Sequence, residues 1–215
     1  MSIRVVVVDD QDLVRTGLVM IVNAHPDFEV VGEAADGLAA IEMVTRLRPD
    51  VLLIDIRMPG LDGVEVTRRL AGPGVADPVA VVVITTFDSD DYVLGAVRAG
   101  ARGFLLKDAG PALLIQAIQA AADGEALIAP SVTPRLLATL VDRAPVPASQ
   151  PVDPLTPREE EVLVLVAKGG TNAEIAQELF ISLTTVKTHV AALMAKLGVR
   201  NRVEIAMWAY QTHRV

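Results

Sequence analysis

Five short runs of Val, Ile and Leu, spaced along the first half of the chain, constrain its fold more than any other feature. They are Arg4–Val8, Phe28–Glu33, Val51–Asp55, Val79–Thr85 and Gly103–Leu106. Several are continuously aliphatic rather than alternating, which is the pattern of parallel strands buried on both faces. Between them lie amphipathic segments that predict helices over 11–24, 37–48, 63–71, 89–99 and 111–122. In 111–122, Leu113, Leu114, Ala117, Ile118 and Ala121 make one helical stripe. Five βα units of this kind predict an α/β, doubly wound, five-stranded parallel sheet with helices on both faces. Aromatic residues are 3% of the chain and hydrophobic residues 52%, so the core must be built from Val, Leu, Ile and Ala.

The pattern changes after residue 123. Seven prolines fall between residues 124 and 157. A short helix is expected over 134–142, and Ala144–Asp153, which has no periodicity, reads as a linker. The remainder of the chain is an all-helical module. Thr156-Pro157-Arg158-Glu159 is a capping box, with Pro157 at the first helical position. That helix ends at Gly169-Gly170. A short one begins near Asn172, and Ser182 caps a third over Leu183–Leu197, closed by Gly198. A fourth runs from about Arg202 to the end. A short helix, a tight turn and a longer helix make the helix-turn-helix pattern. The expected division is 1–123, a linker with a short helix over 124–153, and a helical domain over 154–215.

The chain has no cysteine, which excludes disulfide scaffolds and thiolate metal sites. No run approaches the roughly 18–20 apolar residues of a membrane span. The four valines after Arg4 end in Asp9-Asp10, too short and too soon charged for a signal peptide. No membrane partner and a cytoplasmic location are expected.

The net charge of −8 is unevenly placed. Residues 1–143 hold 12 Lys and Arg against 20 Asp and Glu, which accounts for all of it. Residues 153–182 hold two basic and six acidic residues, whereas 183–215 hold five and one. The tail is therefore basic on an acidic protein, and local potential matters more than total charge for docking on phosphate.

In a doubly wound sheet, ligands sit beyond the carboxyl ends of the strands, where strand order switches. Asp9 and Asp10 follow the first strand, Asp55 ends the third, Thr85 ends the fourth and Lys107 follows the fifth. Taken one at a time, each has a plain structural use, such as a helix N-cap for the Asp pair. Their convergence at four strand ends is what points to chemistry. Three neighbouring carboxylates repel one another, and a hard divalent cation with oxygen ligands, Mg²⁺ above all, relieves this. A carboxylate can act as a nucleophile on phosphorus, and Asp55, at the end of the central strand, is the best candidate. Lys107 would neutralise phosphoryl oxygens and the Thr85 hydroxyl would donate to one.

These motifs resemble a known family. Val-Val-Asp-Asp (7–10), Leu-Leu-Ile-Asp-Ile-Arg-Met-Pro-Gly-Leu-Asp-Gly (52–63), Ile-Thr-Thr-Phe (84–87) and Ala-Gly-Ala-Arg-Gly-Phe-Leu-Leu-Lys-Asp (99–108) are similar to the receiver domain of two-component response regulators of the NarL/FixJ type, over roughly residues 3–122. The resemblance implies a flavodoxin-like receiver with Asp55 as phosphoacceptor. It implies Mg²⁺ held by Asp9, Asp10, Asp55 and the backbone carbonyl of Arg57, and a switch formed by Thr85 and Phe104. It also implies a sensor histidine kinase as partner. Gln11 stands where many relatives have His, and Asp108 follows the lysine where many receivers have Pro.

Residues 155–202 resemble the LuxR-type helix-turn-helix through Leu-Thr-Pro-Arg-Glu-Glu-Glu-Val-Leu (155–163), Gly-Gly-Thr-Asn-Ala-Glu-Ile-Ala (169–176), Thr-Thr-Val-Lys-Thr-His-Val (184–190) and Lys-Leu-Gly-Val-Arg-Asn-Arg (196–202). The helical period agrees. Val186, Val190, Leu193 and Leu197 form a core face, and Thr184, Lys187, Thr188 and Ala191 fall opposite, available to a major groove. Thr185, at the start of the same helix, joins the expected DNA contacts. Lys196, Arg200 and Arg202 are expected on phosphates, which position without specifying. His189 is expected to pack or to bond backbone, and Trp208 to pack mainly within the module.

Together these readings predict a DNA-binding transcriptional regulator, not an enzyme. It would be switched by phosphorylation of Asp55 and bind paired half-sites of double-stranded DNA as a homodimer when phosphorylated. Two alternatives remain open on sequence: a phosphohydrolase with an aspartyl nucleophile, against which Arg57 counts, and a receiver-like fold that only mediates assembly.

Overall fold

The computed structural model describes residues 2–86, 90–128, 153–212 and 214–215. The helix expected over 134–142 and all of the expected linker except Asp153 lie outside the described residues. The chain divides into two compact units.

The first unit alternates β1 (Ile3–Val8), α1 (Asp12–Asn23), β2 (Phe28–Ala34), α2 (Gly37–Leu47), β3 (Val51–Ile54), α3 (Gly63–Ala71), β4 (Ala80–Thr85), α4 (Asp90–Ala99), β5 (Gly103–Leu106), α5 (Pro111–Ala122) and β6 (Leu127–Ile128). All strand pairs are parallel, in the order β2-β1-β3-β4-β5-β6. The order reverses at β1, so right-handed crossovers put α1 on the face opposite α2, α3 and α4. Helix α5 lies beside α1, and the two line one groove. Val5–Val8 and Val51–Ile54 are fully buried, as continuous aliphatic runs between two helical layers require. Each such side chain contributes about 1.5–3 kcal/mol of burial.

The five expected strands are present, and the structure adds a sixth, a two-residue strand at the edge of the sheet. After α5 the chain turns at Gly124, in the left-handed region at φ 79°, and Leu127 donates to the carbonyl of Arg102 at 3.0 Å. The two residues of β6 thereby cover an otherwise open edge of β5. Strand β3 also stops one residue earlier than expected. Ile54 is the last residue paired to both Val8 and Val83, so Asp55 stands just beyond the ladder.

The second unit contains α6 (Pro157–Ala167), α7 (Asn172–Leu179), α8 (Leu183–Leu197) and α9 (Arg202–Gln211). Local chemistry sets each start. Thr156/Glu159 and Thr171/Glu174 make complete capping boxes, and Ser182 and Asn201 accept from the third helical residue of α8 and α9. Gly198 ends α8 at φ 65°, where a residue without Cβ is least strained. Val162, Leu163, Ile175, Val186, Val190, Leu193, Ile205 and Trp208 form one core, with Trp208 only 6% exposed. Among the described residues no helix is long and apolar enough to cross a membrane.

Candidate functional site

The acidic site is built where the sheet changes direction. Strands β1 and β3 are neighbours with Val8 opposite Ile54, so the next residues, Asp9 and Asp55, emerge side by side. Asp55 donates its N–H to the Val8 carbonyl at 2.9 Å, which holds its side chain at the crest of the sheet. Helix α3 is pinned under the same loop. Gly63 donates to the Ile56 carbonyl at 2.8 Å, and a Cβ at this glycine would lie 2.1 Å from the Asp55 carbonyl oxygen. The glycine is therefore required by close approach to the backbone that carries Asp55.

Carboxylate oxygens of Asp9, Asp10 and Asp55 lie within 4.8 Å of one another. The Lys107 ammonium is 2.7 Å from Asp55 Oδ2 and 2.6 Å from Asp9 Oδ2, with all three side chains buried. Burial pushes the Asp9 carboxyl above its ordinary range, against the opposing pull of Lys107 and the Gln11 N–H. Burial works against the Lys107 ammonium, but its bonds to Asp55 and Asp9 outweigh it and raise the group above its ordinary value. Three carboxylates against one cation leave the cluster short of positive charge. Asp10 Oδ1 is buried and has no hydrogen-bond partner among the described residues. An orphaned carboxylate oxygen in an oxygen-only donor set fits a hard divalent cation.

Thr85 and Phe104 share one face of the sheet. In-register residues of parallel strands point the same way, and Val83 is paired with Phe104, so Thr85, two residues on, shares that face. Both are fully buried. The Lys107 N–H donates to the Thr85 carbonyl at 2.9 Å, which ties the two strand ends together. Arg57 follows Asp55 by two residues, and its N–H approaches Asp55 Oδ1 at 3.4 Å. Its guanidinium lies 5.8 Å from the centre of the Tyr92 ring on α4. Asp10, Arg57, Met58, Pro59, Asp62 and Tyr92 line an open cleft of about 390 Å³ beside the acidic cluster.

Sequence reasoning missed two contributors here. Tyr92 comes in from α4 and had no motif to mark it. Arg15 on α1 donates to the Asp9 carbonyl at 2.7 Å. Its i,i+3 pairing with Asp12 was readable from helical spacing, but its reach to the acidic loop was not.

In the second unit, α8 turns Val186, Val190, Leu193 and Leu197 into the core and leaves Thr184, Lys187, Thr188 and Ala191 exposed along one face. Thr185 is half-buried at the first turn, with its hydroxyl 2.8 Å from that of Ser182. His189 is half-buried beside the core seam.

The remaining basic residues of the tail have partners inside the unit. Lys196 is 2.7 Å from Glu159 and donates to the Pro154 carbonyl at 3.2 Å. Arg200 pairs with Glu204 at 3.4 Å, and Arg214 pairs with Glu160. Arg202 is 8% exposed and donates to Asn172 Oδ1 at 2.8 Å and to the Gly170 carbonyl. The structure thus does not bring Arg202 to the face that carries Lys187. The guanidinium instead joins α9 to the loop before α7. The tail's excess of positive charge, counted along the sequence, is partly offset in space by acids of α6 and α9.

Comparison with known proteins agrees with this geometry. Residues 5–119 match the response regulator receiver domain, and residues 153–209 match the bacterial regulatory proteins of the luxR family. The transcriptional regulatory protein LiaR of Bacillus subtilis is 41% identical over 213 residues, 99% of each chain. The nitrate/nitrite response regulator NarL of Escherichia coli is 38% identical over 96% of this chain and 94% of its own. Among solved structures, the response regulator ChrA of a heme-sensing two-component system aligns over 100% of this chain and 99% of its own, with a TM-score of 0.55 and 38% identity. A complex of the response regulator RcsB with DNA aligns over 98% and 99%, with a TM-score of 0.59 and 27% identity. The chain belongs to the two-component response regulators of the NarL/FixJ type, transcriptional regulators that join a receiver domain to a LuxR-type DNA-binding domain.

Proposed function

We propose that Asp55 is the phosphoacceptor of this regulator and that a sensor histidine kinase is the donor. The supporting observation is the constellation beyond β1, β3 and β5, in which the side chains of Asp9, Asp55 and Lys107 are buried and Asp10 stands at their rim. A carboxylate oxygen of Asp55 attacks phosphorus as the phosphorus–nitrogen bond of the donor breaks. An acyl phosphate forms, and the departing imidazole takes up a proton. Lys107 holds the Asp55 carboxylate before transfer and balances phosphoryl charge after it. Thr85 donates its hydroxyl to a phosphoryl oxygen, and Phe104, on the same sheet face, follows its movement. Asp9, Asp10, Asp55 and the carbonyl of Arg57 hold Mg²⁺, which when bound supplies neutralisation of the incoming oxygens. The chemistry is confined to the protein's own phosphorylation and does not extend to turnover of a separate substrate.

Residues 1–128 act as the receiver, since β6 belongs to its sheet, so the linker expected over 124–153 begins only after Ile128, and 154–215 act as the DNA-binding domain, in the cytoplasm. Thr184, Thr185, Lys187, Thr188 and Ala191 of α8 meet the major groove, and a phosphorylated homodimer engages paired half-sites. Lys196 and Arg200, half-exposed at the end of α8, approach phosphates.

The decisive experiment is labelling with a small phosphodonor and Mg²⁺. The wild type should label at Asp55, Asp55→Ala should not, and removing the cation with EDTA should suppress labelling. Equal labelling of Asp55→Ala would remove the assignment.

A further inference from the structure

We infer that Arg15 is a positioning residue for the acidic pocket: its guanidinium fixes the Asp9–Asp10 peptide, and so the aim of the Asp10 carboxylate and the affinity for a divalent cation. The inference rests on the cation site proposed above.

Asp10 Oδ1 is buried without a hydrogen-bond partner among the described residues, so hydrogen bonding at that oxygen does not hold the carboxylate in place. Its direction then depends on the backbone that carries it. Only one peptide separates Asp10 from Asp9, and the carbonyl of that peptide accepts from Arg15 Nη1 at 2.7 Å. Fixing the carbonyl fixes the peptide plane and with it the N–Cα bond of Asp10, the axis about which its Cβ turns.

The guanidinium is itself held. Nη2 lies 2.6 Å from Asp12 Oδ1 and Nε lies 3.6 Å from Glu33 Oε2 on β2, and the side chain is only 17% exposed. A planar fork with three acceptors in different directions has little freedom to turn, which a lysine ammonium could not reproduce. Helix α1 also lacks a side-chain N-cap at Gln11, so this loop depends on Arg15 and on the Gln11 N–H bond to Asp9 Oδ1 at 3.0 Å.

Charge is not the means. Asp12 and Glu33 offset the guanidinium locally, so Arg15 adds no net positive charge to the pocket. It acts through geometry, as partners behind metal ligands commonly do.

The test is direct titration of the full-length, unphosphorylated protein with Mn²⁺, reading free ion by electron paramagnetic resonance. Arg15→Ala should raise the dissociation constant by about tenfold, and Arg15→Lys by less, as a partial rescue. Glu33→Gln leaves the Asp9 contact in place and should stay within about twofold of wild type. Thermal midpoints measured in EDTA should not follow the order of these affinities. In phosphodonor labelling, Arg15→Ala should need more Mg²⁺ for half-saturation yet approach the wild-type rate when saturated. Should Arg15→Ala not fold, Arg15→Gln, too short to reach the carbonyl, replaces it.

Asp10→Asn is the reference for the site itself. If the wild type binds no Mn²⁺, or Asp10→Asn binds it as well as wild type, the cation site fails and the inference with it. If the wild type binds and the Arg15 variant is unchanged, or Glu33→Gln loses as much as Arg15→Ala, the inference alone is overturned.

Discussion

Lys107 faces two buried carboxylates, and its removal leaves both uncompensated. Lys107→Met should destabilise the metal-free first unit by about 3–5 kcal/mol near neutral pH, the cost of breaking a buried ion pair from one side. The sign with pH is set by Asp9. Its carboxyl is already raised in the folded protein by burial, and loss of Lys107 removes an opposing pull. A folded-state value above the unfolded one favours folding at low pH and disfavours it at high pH. The penalty in Lys107→Met should therefore shrink as the pH falls towards the acid range. Hydrogen exchange of the β1 and β3 amides, compared at two pH values, measures it. A penalty independent of pH would show that Asp9 does not carry the burden.

Lys187 and Arg202 are both cations of the second unit, yet the structure sets them apart. Lys187 is exposed on the outer face of α8, and Arg202 is buried against Asn172 and Gly170. Lys187→Ala should weaken cognate DNA by roughly 1–3 kcal/mol and narrow the gap to random DNA, without shifting the folding midpoint. Arg202→Ala should lower the unfolding midpoint read by Trp208 fluorescence, because a buried amide oxygen and a carbonyl lose their donor. Titrations of both variants on both DNAs, beside urea melts, separate the two roles. Intact cognate binding by Lys187→Ala would remove α8 as the reading helix.

At the scale of elements, the second unit is held by its helix starts. Glu159 closes the capping box of α6 by accepting from the Thr156 N–H at 2.7 Å, and the same oxygen meets Lys196 from the end of α8 at 2.7 Å. One carboxylate thus joins the first turn of α6 to the last turn of α8. Burial tends to raise Glu159, but Lys196 and Thr156 outweigh it and hold the carboxyl below its ordinary value of 4.5. A depressed folded-state value means that this stabilisation is complete above the ordinary value and is lost as pH falls through the folded one. Glu159→Gln should cost about 1–2 kcal/mol at pH 7, and the gap to wild type should close in the range below 4.5. Trp208, the sole tryptophan and buried in this core, reports the midpoint. A constant gap from pH 7 to pH 3.5, about one unit below the ordinary glutamate value, would assign the effect to packing rather than to charge.

At the scale of the whole molecule, the acidic cluster and the outer face of α8 belong to different compact units. A signal written on one must change a population to be read by the other. The proposed change is association. Phosphorylation should raise the dimer fraction of the full chain in analytical ultracentrifugation, or raise its affinity for DNA, and Asp55→Ala should respond in neither assay. An unchanged dimer fraction and unchanged DNA affinity on phosphorylation of the wild type would exclude this form of coupling.

The features legible in the sequence are those that depend on neighbours along the chain. The aliphatic runs of β1, β3 and β4 carry their own burial pattern, and a parallel order brings the residues after the strands to one end, so the neighbourhood of Asp9, Asp10, Asp55 and Lys107 is legible in the sequence. Capping boxes at Thr156 and Thr171 and the bounds of α8 at Leu183 and Leu197 are also local, set by hydrogen bonds that span three or four residues. Tertiary structure decided the features that depend on distance in space. Leu127–Ile128 is too short to show a period and becomes a strand only because β5 offers it unpaired backbone groups. Lys196 meets Glu159 across 37 residues, and Arg202 meets Asn172 across 30, so a count of basic residues along the tail overstated its open charge. Helical spacing alone relates Arg15 only to Asp12, three residues before it. Its hold on the Asp9 carbonyl exists because the first turn of α1 folds back over the end of β1, where a long guanidinium reaches a carbonyl oxygen six residues behind it.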